Sequence, residues 1–160
     1  MPEWVASHWP KYVEGCERVN RPASSDNWRV AKSVFVCDDL KKAEAYAKGP
    51  DSPYRFYYSQ LLTKMRRHKR LNLFKKDQSM PDEAVNLDDI CDELIIWGTP
   101  NKVADDLLAF RETVGDFGTL LYAGKDWADP DLGRQSMILT AEKVMPAVNQ
   151  HIKSTTKAAA

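Results

Sequence analysis

Three short polar stretches hold the side chains best suited to chemistry. They are Cys37-Asp38-Asp39, Trp97-Gly98-Thr99 and Gly124-Lys125-Asp126-Trp127, and each follows an apolar run. A lysine ammonium beside an indole can grip an anion and meet a planar ring, and the helix start at Thr99-Pro100 offers free N–H groups to an anion. The same residues have plainer uses. Asp38 and Thr99 read first as helix caps. Lys125 and Trp127 serve equally as ligand contacts or as ordinary surface.

Other familiar chemistry is missing. No Gly-x-Gly-x-x-Gly and no Gly-rich loop ending in Lys-Ser/Thr is present to cradle phosphates, and no Gly-x-Ser-x-Gly elbow presents a nucleophile. His8, His68 and His151 stand apart from one another, and no Cys-x-x-Cys completes a metal set. Asp116-Phe117-Gly118 spells a kinase tripeptide, but without a glycine loop or a His-Arg-Asp it is coincidence. The basic run from Lys64 to Lys76 could track a phosphate backbone, or form a solvated helix face whose stems cover apolar surface. The second reading is the better one, because no base-stacking aromatics interleave with the charges. The acidic run from Asp82 to Glu93 lacks metal-loop spacing and a glycine turn. Tyr54-Arg-Phe-Tyr-Tyr58 reads first as core packing, with a ligand role as the lesser alternative.

These loops need elements to position them. Trp28 to Cys37 is a β-branched run whose near-continuous apolarity suits a strand buried on both faces. Short strands near 94–97 and at 117–123 follow the same rule. Asp38 or Asp39 starts a helix carrying Leu40, Ala43, Tyr46 and Ala47 that Gly49-Pro50 stops; Ser52-Pro53 starts a long one reaching about Leu71 with a Tyr54, Tyr57, Tyr58, Leu61, Leu62, Met65 stripe; and Asn86 caps one or two turns. Thr99 caps a helix from Pro100 to Val114, with the proline at the first helical position, where its missing N–H is harmless. An earlier helix begins at Ser7, and a last one runs from Pro130 to His151 with a kink before Pro146. Three strands, each followed by a helix, imply parallel pairing by right-handed crossovers. They do not close a barrel, so the chain reads as part of one, or as a sheet that borrows cover from a second chain.

Composition sets wider limits. One domain's worth of chain, 160 residues, carries 23 basic and 23 acidic side chains. That balance gives no bulk attraction to nucleic acid or to anionic lipid. No apolar run approaches the ~20 residues of a membrane span, and the start Met-Pro-Glu-Trp-Val is not a signal peptide. Cys16, Cys37 and Cys91, odd in number and far apart, suit a reducing cytoplasm. Residues 1–152 read as one domain, with a helical excursion at 52–74 and a disordered tail at 153–160.

Ile95-Ile-Trp-Gly-Thr-Pro100, the helix to Val114, Phe117-Gly-Thr-Leu-Leu-Tyr122 and Glu142-Lys-Val-Met-Pro146 together resemble the carboxyl-terminal part of the luciferase-like flavin-dependent monooxygenases. His8-Trp-Pro-Lys-Tyr-Val-Glu-Gly15 and Trp28-Arg-Val-Ala-Lys-Ser-Val-Phe-Val36 look closer to the limonene-monooxygenase-like branch. The resemblance implies an α/β fold, the carboxyl-terminal part of a (β/α)8 TIM-type barrel with three parallel strands. It implies reduced FMN and O2 as cofactors, a flavin peroxide that oxygenates a small organic substrate, and a flavin reductase supplying the reduced FMN. Arg29, Ser33, Tyr122, Lys125 and Trp127 are then expected to face the flavin or substrate, in positioning and water-excluding roles. No catalytic residue and no metal ligand is assigned. A family member is roughly twice as long, and the other half would hold the first strands and most flavin contacts. The expectation is therefore a cytoplasmic chain, incompetent alone, that forms a homo-oligomer or meets the missing barrel half, without nucleic-acid or membrane partners. The alternative is a non-catalytic half-barrel that pairs with itself or a partner to bury its sheet edge.

Overall fold

The computed structural model describes residues 2–158, with side chains over 4–155. Helices α1 (Pro2–Ala6) and α2 (His8–Arg18) precede strand β1 (Arg29–Val36). Helix α2 starts beside Ser7, as the sequence suggests, but Ser7 does not cap it through its side chain: its backbone is already helical, and its hydroxyl donates to the Trp4 carbonyl at 2.7 Å. Next come α3 (Leu40–Lys48), α4 (Pro53–Arg67) and α5 (Leu87–Leu94), then β2 (Ile95–Gly98) and α6 (Pro100–Val114). The chain closes with β3 (Thr119–Tyr122), α7 (Pro130–Leu139), a π-helical turn (Thr140–Val144) and α8 (Met145–Ala158). Of the tail read from sequence as disordered, 153–160, residues 153–158 continue α8 and 159–160 lie outside the described residues.

Local chemistry sets most of these starts. The Asp39 carboxylate accepts from the Lys41 and Lys42 N–H groups at 2.9 and 3.1 Å. Ser52 accepts from Arg55 N–H at 3.1 Å, Asn86 from Asp89 N–H at 2.9 Å, and Asp129 from Leu132 N–H at 2.9 Å. Each satisfies a first-turn donor that the helix itself leaves free. Thr99 is the exception: its backbone is extended as a cap requires, but its hydroxyl makes no capping bond. Helix α4 stops at Arg67 rather than near Leu71, because the chain turns through Lys69 at φ 55°. The turn before Pro146 widens to π geometry, as expected where a proline removes an N–H from the helical ladder.

The strands form one parallel sheet in the order β2-β1-β3. Ser33–Val36 pairs with Ile95–Gly98, and Arg29–Lys32 pairs with Thr119–Tyr122. The expected three parallel strands under covering helices are therefore present, but they do not lie in chain order. The chain steps from β1 to β2 through α3–α5, then crosses back over β1 to β3 through α6. Right-handed crossovers in opposite directions put their helices on opposite faces. Val30, Val34 and Val36 accordingly pack with Ile96, α6 and α8, while Phe35 and Ile95 pack under α3, α4 and α5.

Strand β3 ends opposite Lys32, so β1 runs on beyond it. Two side chains replace the missing neighbour. The Tyr54 hydroxyl donates to the Val34 carbonyl at 2.6 Å, and the Val36 N–H donates to Ser136 Oγ at 2.8 Å. Gly118 explains the apparent kinase tripeptide: a Cβ there would overlap the Asp26 backbone, and its N–H donates to the Ser25 carbonyl at 2.8 Å. The basic and acidic runs meet each other. Lys75 pairs with Asp82 at 2.7 Å, and Lys76 with Asp89 at 3.1 Å and Glu93 at 3.4 Å.

Candidate functional site

Side chains alternate across a strand, so the odd residues of β1 and β3 share one face. Helix α4 roofs only the upper part of it. There Ser33 is buried, and its Oγ shares a hydrogen bond with the Tyr58 hydroxyl at 2.8 Å. Burial pushes the Tyr58 phenol up to about 12, offset in part by that bond to Ser33. Below the roof the face is bare. Arg29 and Ala31 on β1 are exposed, as are Thr119 and Leu121 directly beside them on β3.

The loop after β3 continues upward from this strip towards α3 and α4. The Tyr46 hydroxyl donates to the Lys125 carbonyl at 2.7 Å, and the Lys125 N–H donates to the Tyr54 hydroxyl oxygen at 3.3 Å. Two buried or half-buried phenols therefore fix the loop backbone. Desolvation raises both phenols above their ordinary range and keeps them neutral donors. The Lys125 ammonium lies 4.5 Å from the Tyr57 ring centre and 5.6 Å from that of Tyr54. Among the described residues it donates only to the Ala123 and Gly124 carbonyls, at 3.3 and 3.4 Å, and burial lowers its pKa. No carboxylate among the described residues comes within ion-pair distance of it. Trp127 stands at the rim, 55% exposed.

The five residues singled out from sequence do not converge. Lys125 and Trp127 share the mouth of β3. Arg29 lies at the other end of the face, opposite Thr119 and about 20 Å of extended chain from Lys125. Ser33 belongs to the face, but Tyr58 occupies its hydroxyl. Tyr122 starts from the opposite face, packed against the α6–α8 core, but its ring lies against Gly124 of the mouth, and its hydroxyl bonds Ser136 Oγ at 2.8 Å and meets the Tyr54 hydroxyl. Sequence reasoning missed Tyr57, Tyr46 and Leu121 as parts of this site. Tyr57 and Tyr46 looked like helix stripe residues, and the exposure of Leu121 depends on a non-local sheet register.

A flavin mononucleotide pairs a planar ring system with a phosphate. The strip offers it one ammonium without a carboxylate partner, exposed Tyr57 and Trp127 rings, and an apolar floor of Ala31 and Leu121. That suits one side of such a group and does not enclose it. The described cavities lie away from the strip. One of about 400 Å³ between α3, α4 and α5 is lined by Lys48, Arg55, Asp88 and Asp92, whose charges are already paired at 2.5 Å. No cluster of three or more potential metal ligands occurs among the described residues, and no described helix is long and apolar enough to cross a membrane.

The resemblance to the luciferase-like flavin-dependent monooxygenases is borne out by relatives and by fold. The chain is 24% identical over 143 residues to 3,6-diketocamphane 1,6-monooxygenase of Pseudomonas putida, covering 88% of this chain and 37% of that one. It is 28% identical over 152 residues to 4-hydroxyprotoasukamycin monooxygenase of Streptomyces nodosus subsp. asukaensis, covering 95% and 38%. Among solved structures, the oxygenating constituent of the P. putida 3,6-diketocamphane monooxygenase, a type II Baeyer-Villiger enzyme in complex with FMN, superposes with a TM-score of 0.75. The match is 24% identical and covers 90% of this chain and 40% of that one. A monooxygenase from Streptomyces bottropensis shares the fold with a TM-score of 0.55 at 17% identity. No family model matches the chain. The chain spans about two-fifths of the length of these relatives.

Proposed function

We propose that this chain supplies part of an FMN-dependent monooxygenase. The observation that carries this reading is its relationship to two monooxygenases over 88% and 95% of its residues. The flavin, delivered in reduced form by a flavin reductase, supplies the O2 chemistry that oxygenates a small organic substrate. The chain's own residues bind and exclude. Lys125 holds an anionic edge of the flavin or substrate, Tyr57 and Trp127 meet its rings, and the Ala31–Leu121 strip keeps water from one side. Arg29 offers a second cation at the far end. Ser33 and Tyr122 act as positioning residues through Tyr58 and Ser136. The setting is the cytoplasm, with neither nucleic acid nor membrane as a partner. Because the strip covers only one side, the chain alone binds flavin weakly and does not turn over.

Flavin fluorescence tests this. Titrating FMN with the protein should quench its emission in a saturable way, and Lys125→Ala should weaken binding by about tenfold, the loss of one charge-assisted hydrogen bond. No saturable quenching up to about 1 mM, the weakest binding worth the name, would remove flavin from this chain.

A further inference from the structure

Once one register of a parallel pair is known, it fixes which backbone groups meet further along. In β3 the Thr119 and Ala123 N–H groups donate to the Trp28 and Lys32 carbonyls of β1 at 3.3 and 3.0 Å. In the same register the Lys125 N–H would donate to the Val34 carbonyl, and the Lys125 carbonyl would accept from the Val36 N–H. Neither bond forms. The Tyr54 hydroxyl stands between the first two groups, accepting from the Lys125 N–H at 3.3 Å and donating to the Val34 carbonyl at 2.6 Å. The second two are held apart by separate partners: the Lys125 carbonyl accepts from the Tyr46 hydroxyl at 2.7 Å, and the Val36 N–H donates to Ser136 Oγ at 2.8 Å. The mouth loop therefore follows β1 in the strand's own register, one hydroxyl's width away from it.

Each hydroxyl here has one proton to give. That of Tyr54 goes to Val34, so Tyr122, whose hydroxyl meets that of Tyr54, donates to it, and Ser136 donates to Tyr122 at 2.8 Å. One directed chain results, from the Val36 N–H through Ser136, Tyr122 and Tyr54 to the Val34 carbonyl. Tyr54 and Ser136 are fully buried, so no water is at hand to replace a lost member. We infer that Tyr54, seconded by Tyr46, is a positioning residue for Lys125: its hydroxyl spaces the mouth loop off β1 and so sets where the Lys125 ammonium stands. Zipped directly onto β1, Lys125 would lie opposite Phe35, on the face where Phe35 is buried under α3, α4 and α5. Its ammonium would then be drawn into an aromatic core, at a desolvation cost that nothing there offsets. Spaced away, the ammonium lies half-buried, 4.5 Å from the Tyr57 ring centre. This role of Tyr54 rests on the reading of Lys125 as a flavin contact, and every bond it uses lies within the chain.

Tyr54→Phe removes the hydroxyl and keeps the ring, which still blocks direct pairing, so the Lys125 N–H is released. FMN binding, read by fluorescence quenching, should weaken about tenfold, as for Lys125→Ala. The double variant should bind no more weakly than either single one, because both changes remove the same contact. Amide exchange followed by NMR supplies an arm without flavin. Tyr54→Phe should speed exchange at Lys125 about tenfold, the loss of one hydrogen bond, while Thr119 and Ala123, paired directly with β1, keep their wild-type rates. Losses that multiply to about a hundredfold in the double variant overturn the inference, as does an unchanged exchange rate at Lys125. Wild type without saturable quenching, together with faster Lys125 exchange in Tyr54→Phe, removes the flavin reading and leaves the positioning of Lys125 standing. Should Tyr54→Phe not fold, Tyr46→Phe releases the Lys125 carbonyl from a half-buried ring and enters the same FMN cycle, where multiplying losses overturn the inference equally.

Discussion

The two edges of this sheet are finished in opposite ways. At β2 the Trp97 carbonyl, which faces outward, accepts from the Lys102 ammonium at 3.0 Å, and Lys102 is held in turn by Asp106 at 2.6 Å. The Lys48 and Lys102 ammoniums both lie over the Trp97 ring, at 5.3 and 5.1 Å. Ile95 and Ile96 behind them are buried in the two opposite cores. At β3 no charge lies within the strand, and the residue pointing to the bare face is exposed. Strands of equal length in one sheet thus differ in how much core they carry and in how accessible their backbone is. Stability is concentrated on the β2 side and backbone accessibility on the β3 side.

The largest expected effect comes from the cores. Ile95→Ala should lower the unfolding free energy by about 2–5 kcal/mol, while Leu121→Ala in dilute protein should change it by less than about 0.5 kcal/mol. Similar losses for the two in urea denaturation would erase the distinction.

Next in size is a pH effect tied to the β2 side. Lys32 is buried beneath the start of β2, where its ammonium donates to the Glu93 carbonyl at 2.8 Å and lies 4.9 Å from the Phe110 ring centre. Desolvation lowers its pKa from 10.5 to about 8. The unfolded chain therefore binds more protons between these values, and stability rises with pH across that window. The penalty is fully present below pH 8 and amounts to about 3 kcal/mol at 1.4 kcal/mol per unit. Above pH 10 the sign reverses, because Tyr58 holds its proton to about 12 in the fold but releases it near 10 when unfolded. Urea midpoints should climb from pH 7.5 towards 9.5 and fall beyond 10.5, and Lys32→Met should flatten the climb alone. An unchanged climb in Lys32→Met would assign it to another group.

The smallest expected effect is at the guard itself. Lys102→Ala should cost less than about 1 kcal/mol, since its ion pair is exposed, yet it should give wild-type β2 an edge as open as β3. Higher-order species in light scattering, absent from wild type, would confirm the guarding role; an unchanged mass distribution would show that burial alone protects β2.

How much of this was legible in the sequence depended on distance along the chain. Asp39, Ser52 and Asn86 were readable as caps because a cap bonds two or three residues away. Asp129-Pro130 repeats the Ser52-Pro53 signal and could have been found by the same rule. Thr99 shows the limit of that rule: residue type and backbone suit a cap, and the hydroxyl still makes no bond. The strand order could not be read, because four-residue strands carry too little pattern to choose neighbours. Tyr122 was placed with Lys125 because both follow the same apolar run. Which face a strand residue takes depends on phase, set here by the approach of Gly118 to Asp26 far back in the chain. Lys32 gave no signal, since a lysine inside an apolar run reads as an interruption rather than as a buried ammonium.

Lys102 has one further consequence, concerning the valence of assembly. Two sticky edges per molecule would let sheets add end on end without limit, as filaments do. With the Trp97 carbonyl occupied, one end of the sheet is closed to such addition, and a single lysine keeps edge-to-edge growth from propagating.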